Sequence, residues 1–248
     1  MQLGFFSYLL GWISALLVGL SKTGLPGVSI PAILLMTEAF RDDARLGIGA
    51  ILPVLLVGDV FAVAWYRHHA QWDRLWKLFP YVVLGMIPGG LLLHFLREGN
   101  QLRPIIGVFV LGLVALEICR RRYDWQDMPH QWWFVLMIGI LAGFSTIIAH
   151  AAFPVMVIYL LSQKMVKQEF IGTAAWFFFI VNLSKVPFYW KAGMITPVTL
   201  EFDMVVAPAA IVGGLLGVYV LKKIPQRFFE AIALTLAGAA AVRMIVVW

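Results

Sequence analysis

A single cysteine, Cys119, is all this sequence offers for thiol chemistry, which excludes an internal disulfide and any cysteine-built metal cage. Charge is nearly as scarce. Only 13% of the 248 residues are charged, against 62% that are hydrophobic, where a soluble domain carries roughly 25% charge. That shortage excludes a water-soluble globule, because no chain of this size can bury repeated apolar runs of about 20 residues in one core. The start, Met1-Gln2-Leu3-Gly4, lacks the basic residues of a secretory signal, so the first apolar segment is expected to be retained. Acidic residues are outnumbered, giving a net charge of +6. The basic ones gather in short loops, however, which is the positive-inside pattern of a membrane protein and not a nucleic-acid footprint.

What is present is a series of apolar segments, at about 3–37, 46–66, 76–96, 103–119, 132–161, 170–190, 199–221 and 228–247. The polar stretch Arg120 to His130 divides them nearly in half, and internal matches support a duplication. Pro80, Gly85 and Gly89 recur as Pro208, Gly213 and Gly217, while Gly19 and Ser21 recur as Gly143 and Ser145. Tyr66 and Tyr189 end corresponding segments, and Gly47 finds Gly172 near the start of the second segment of each half. Collinear order makes these matches a repeat and not scattered glycines. The expected organisation is a first membrane repeat over 1–119, an inter-repeat loop over 120–131 and a second membrane repeat over 132–248.

Two segments are too long to be simple spans. As single helices, Leu3 to Thr37 would run about 52 Å and Trp132 to Leu161 about 45 Å, against a hydrocarbon core of about 30 Å. If each is a re-entrant hairpin, every repeat crosses three times and the second half is inverted. Loop charges favour that arrangement. Two hairpins put five Lys or Arg on one face (Arg41, Arg45, Arg97, Arg103, Lys191) and eleven on the other, among them Arg67, Arg120, Lys164 and Lys222. Eight plain crossings divide them seven to nine, which orients nothing. The fold expected is therefore an all-α integral membrane protein of about eight apolar segments in two inverted repeats, each opening with a broken or re-entrant segment, and with both termini outside the cytoplasm.

The breaks are expected at Gly19 to Pro31 and at Gly143 to Pro154. Non-helical backbone at membrane depth survives only where protein or an aqueous cavity satisfies it, and paired interruptions in two halves point to a transporter site near the midplane. Ser21, Lys22, Thr23, Gly24 and Gly27 in the first break, with Ser145, Thr146 and His150 in the second, offer backbone N–H groups, hydroxyls and charge to an anion. Lys22 costs about 2.5–3.5 kcal/mol at depth; the competing reading is a lysine reaching for the interface from a shallow break. Asn182 and Lys185 lie three apart on one helix face, and Lys185 is close enough to the loop for the same alternative. Asp59 is a candidate to carry a coupling proton, to neutralise a lysine at rest or to cap a kink, and His150 is a second coupling candidate. The run Trp176-Phe177-Phe178-Phe179 reads most simply as lipid-facing or packed surface. Gly85, Gly89, Gly90, Gly213, Gly214 and Gly217 read as close helix contacts.

Gly19 to Pro31, Gly58-Asp59, Pro80…Gly85…Gly89, Gly143-Phe144-Ser145-Thr146…Pro154, Phe170-Ile171-Gly172-Thr173-Ala174, Asn182…Lys185 and Pro208…Gly213…Gly217 together resemble the sulfite exporter TauE/SafE family of bacterial transporters. The likeness covers nearly the whole chain. It implies export of a small sulfur anion such as sulfite, sulfoacetate or another organosulfonate across the inner membrane, coupled to an ion gradient. Where similar sequences usually show Asn-Ala-Ala-Gly-Pro, this one has His150-Ala151-Ala152-Phe153-Pro154.

The partners expected are a small anionic substrate, the lipid bilayer, a coupling proton or other ion and, as an assembly, a homodimer; nucleic acid and cofactors are not expected. The nearest rival is an anion channel or an uptake transporter for a different small anion. An enzyme is not expected. Ser145 is followed by Thr146 and shares its stretch with His150, which does not suit an intramembrane serine nucleophile, and Asp42-Asp43 alone is too sparse to hold a metal.

Overall fold

A computed structural model describes residues 3–23, 28–95, 132–149 and 167–220, together with isolated positions in the remaining stretches. Among the described residues every regular element is helical: α1 (Phe5–Thr23), α2 (Ser29–Ala39), α3 (Ala44–Tyr66), a 3-10 turn (Arg67–His69), α4 (Trp72–Phe95), α5 (Trp132–Ala149), α6 (Lys167–Lys191) and α7 (Pro197–Val220). Among the described residues, four helical stretches are long and apolar enough to cross a membrane: Phe5–Thr23, Ala44–His69, Trp72–Leu92 and Pro197–Tyr219. The expected count of eight segments reaches into residues outside the described ones, as do Gly24, Gly27 and His150.

Local chemistry sets the helix ends. Asp43 caps α3, its carboxylate accepting from the Arg45 backbone N–H at 2.9 Å. α6 closes on Gly193, whose φ of 67° lets the Gly193 and Met194 N–H groups return to the carbonyls of Trp190 and Tyr189. Thr196 and Thr199 then exchange side-chain and backbone hydrogen bonds at the start of α7, ahead of an apolar run that opens with Pro197.

Packing fixes the directions. Along α1, Gly11 meets Phe202, Leu16 meets Gly213 and Leu20 approaches Gly217, so α1 and α7 are parallel. Gly49 meets Met194 and Phe61 meets Gly214, so α3 runs with them. The other group comprises α4, α5 and α6. Gly139 meets Tyr81 and Ile147 meets Gly89, which makes α4 and α5 parallel. Gly172 sits at Tyr66 and His69 while Arg45 donates to the Ala192 carbonyl at 3.1 Å, which sets α6 antiparallel to α3. α2 carries the chain back along α1. Ser14 donates to Ala32 at 2.6 Å, and Phe40, just after α2, packs on Phe202 beside Tyr8, near the start of α1.

The first long segment is thus a helical hairpin, and helix covers both flanks of the expected break. Helix continues through Gly19 to Thr23 and resumes at Ser29, so those glycine and hydroxyl residues are not irregular backbone. Gly19 serves close approach: a Cβ there would collide with the Ala210 carbonyl of α7. Gly143 likewise lies within α5, against the Val82 carbonyl. Gly90, read with the contact glycines, has no described residue within 4 Å of where a Cβ would stand. Without a hydrophobic drive between helices in lipid, such backbone proximity supplies much of the packing energy. Val83, Ile87 and Leu91 of α4 and Met204, Ile211 and Leu215 of α7 are exposed, as a lipid-facing surface requires.

Candidate functional site

The most buried of the four candidate spans is α3, and at its depth lies Asp59, with no exposed surface. Gly58 clears the approach, because a side chain there would press on Lys22 Cγ. Across that gap the Lys22 ammonium reaches Asp59 Oδ1 at 2.5 Å. From α6, Asn182 donates through Nδ2 to the other carboxylate oxygen, also at 2.5 Å. Lys22 further lies over the Phe178 ring, 4.6 Å from its centroid, a cation–π contact strengthened by desolvation.

Lys185 completes the cluster. Its side chain is fully buried, and Nζ donates to the Thr146 hydroxyl at 3.0 Å and to the Thr146 carbonyl at 3.2 Å. It lies within electrostatic range of both Lys22 and Asp59. The interfacial alternative for Lys185 is therefore corrected: the side chain turns inward because Thr146 offers two acceptors there. Lys22 is held inward by Asp59 in the same way. Two ammonium groups face one carboxylate, so with all three ionised the cluster carries one excess positive charge.

The remaining sequence candidates separate. Ser21 is half-buried in the last turn of α1. Thr23 bridges helices, with its hydroxyl 3.0 Å from the Gly214 carbonyl and 3.2 Å from that of Gly19. Ser145 donates to Ala142 one turn back in its own helix, at 3.1 Å. Tyr66 donates to the Thr23 carbonyl at 3.2 Å and Tyr189 to that of Ile147, tying off carbonyls that α1 and α5 leave open at their C-termini. Among the described residues, no three His, Cys, Asp or Glu side chains are grouped to hold a metal.

Phe178 is the contact that sequence reasoning missed. It was grouped with a lipid-facing or packed run, yet Phe177 and Phe178 are both buried. The available signal was spacing, since Phe178, Asn182 and Lys185 stand at i, i+4 and i+7 on one helix face.

No curated protein and no solved structure matches this chain. The model of the sulfite exporter TauE/SafE family matches residues 7–244. That match covers nearly the whole length, and with the helical membrane architecture around a buried ionic cluster it shows that the chain belongs to the sulfite exporter TauE/SafE family of transporters.

Proposed function

We propose that this protein is a secondary transporter exporting a small sulfur-containing anion, such as sulfite, sulfoacetate or another organosulfonate, across the bacterial inner membrane. The observation that carries the reading is the convergence of two lysine side chains, Lys185 fully buried and Lys22 nearly so, beside one buried carboxylate. At rest Asp59 is the counter-ion of Lys22. An incoming oxyanion takes its place, receiving N–H bonds from Lys22 and Asn182 while Lys185 and the Thr146 hydroxyl supply the opposite side. An anion with several acceptor oxygens suits so many converging donors.

The two halves are read as inverted repeats. Support comes from α1 and α3 running one way while their expected counterparts α5 and α6 run the other. Alternating access then follows from movement of one group of helices against the other around a fixed site. With Cys119 replaced, Asp42→Cys should react with an impermeant maleimide on intact cells and His68→Cys should not. Reaction of both from outside would refute this topology.

Titration of the purified protein with sulfite tests the substrate, since a ligand that binds the native state raises thermal stability by mass action. Lys22→Ala should weaken binding by about 1.5–3 kcal/mol, the scale of a hydrogen bond to a charged group. Lys22→Gln should fall between Ala and wild type, and Lys22→Arg should lose less. Unchanged affinity in Lys22→Ala at normal folded yield removes Lys22 from the site. Silence toward sulfite and every sulfonate removes the sulfur-anion reading, and flux that does not saturate favours a channel.

A further inference from the structure

α7 carries a carboxyl that the site above does not use. Asp203 is 4% exposed, and both its oxygens are enclosed with no hydrogen-bond donor among the described residues. Eleven residues further along α7, Gly214 packs on Phe61 of α3, two residues past Asp59. Eleven residues are close to three full turns, so Asp203 stands on the same α3-facing side of α7, about 16 Å away along the axis. It therefore occupies a different depth from the Lys22–Asp59 pair.

The ionisable groups on the elements packed against α7 have other engagements. On α3, Asp59 holds Lys22 of α1, Tyr66 bonds Thr23, and Arg45 donates to Ala192. Between Arg45 and Asp59, α3 contains no ionisable residue. Tyr8 of α1 stacks on Phe202. Near Phe40, Glu38 and Arg41 have interactions of their own, and Glu201 on α7 itself is exposed. None of these donates to Asp203.

An ionised carboxylate so placed would lose its hydration and gain nothing, a penalty that a carboxyl escapes by taking up a proton. A metal cation would need several converging oxygens, whereas a proton needs one. We propose that Asp203 is a proton-binding site of the transport cycle: its carboxyl holds a proton while sealed between helices and releases it to water when α7 moves against α3. On uptake one carboxylate oxygen forms an O–H bond; on release that bond breaks and the proton passes to a water molecule, giving hydronium and the carboxylate, with no other bond made or broken. The link to sulfite rests on the exporter reading; the protonation does not.

Infrared difference spectra of the lipid-reconstituted protein in H₂O and D₂O, without substrate, test the protonation. At neutral pH the wild type should show the C=O stretch of a protonated carboxyl, which disappears in Asp203→Asn and persists in Asp59→Asn. Absence of that band, or its survival in Asp203→Asn, overturns the proposal. If Asp203→Asn does not fold, Asp203→Glu should shift the band, and an unshifted band is equally fatal. In proteoliposomes, Asp203→Asn should keep sulfite exchange and lose sulfite accumulation driven by an imposed pH gradient; retained accumulation overturns the coupling role. If the wild type moves no sulfite, the exporter reading falls and the infrared band alone decides the proton site.

Discussion

Where α1 meets α7, Gly19 lies against the Ala210 carbonyl and Gly213 against that of Leu16; where α5 meets α4, Gly143 lies against Val82 and Gly85 against Ile140. Corresponding positions differ by 124 along one helix and 128 along the other. Tyr66 closes the end of α1 as Tyr189 closes the end of α5. At the centre this correspondence stops. Lys22 stands where the other half has Thr146, Asp59 where it has Asn182, and Lys185 where it has the buried Ala62. Both interfaces bring glycines against carbonyls of the neighbouring helix. Charge differs: the cluster holds one ion pair, Lys22 with Asp59, while Thr146 and Asn182 are neutral.

The sharpest way to break this comparison is to remove Asp59. Asp59→Ala strands the Lys22 ammonium in a buried position and should cost about 3–5 kcal/mol. Asn182→Ala, at the matching position, removes only a hydrogen bond to a charged group and should cost about 1.5–3 kcal/mol. Equilibrium unfolding of the two variants in one detergent provides the measurement. Equal losses would mean that the two regions are not divided into an ionic and a neutral partner. Combining Lys22→Met with Asp59→Leu should recover much of the Asp59→Ala loss, since a buried pair is often replaceable by apolar residues.

The glycine contacts test the shared part. Gly19→Ala and Gly143→Ala each push a methyl into a carbonyl of the neighbouring helix and should each destabilise by about 1–3 kcal/mol. Gly90→Ala meets none of the described residues and should be close to neutral. Thermal unfolding in parallel will show whether the two interfaces respond alike; tolerance at Gly143 with damage at Gly19 would mean that only one of them is tightly packed.

The smallest effect is expected at the tyrosines. Tyr66→Phe and Tyr189→Phe each delete one hydrogen bond, worth about 0.5–1.5 kcal/mol. The larger loss belongs at Tyr189, which is 1% exposed and leaves its carbonyl partner no access to water. A larger loss at Tyr66, measured by the same unfolding assay, would reverse the ranking.

Much of the candidate site is legible because a polar or ionisable residue inside an apolar run stands out without any knowledge of its neighbours. Lys22, Asp59, Asn182 and Lys185 were all identified that way, and neutralisation of a lysine by Asp59 was one of the roles weighed for it. The extent of the first break was misread for the opposite reason. Gly19 looks like loop in one dimension, yet it is helical, and the backbone that requires it belongs to Ala210, far along the chain. Phe178 was assigned by composition as one of four consecutive aromatics, although its spacing to Asn182 carried the better signal. Asp203 also stands within an apolar segment, but only the structure shows its carboxyl enclosed with no donor among the described residues.

Composition and run length by themselves determined that this chain lives in a bilayer, since apolar segments of such length have no other solvent. The glycine, proline and tyrosine offsets carry the expectation of two repeats. Tertiary structure alone decided which charge meets which. Asp59 is 37 positions from Lys22 and 123 from Asn182, and separations of that size carry no pairing information until helix directions are fixed. Those directions come from close contact at glycine, with backbone or side chain of the neighbouring helix, a steric condition between two helices that neither helix's sequence contains.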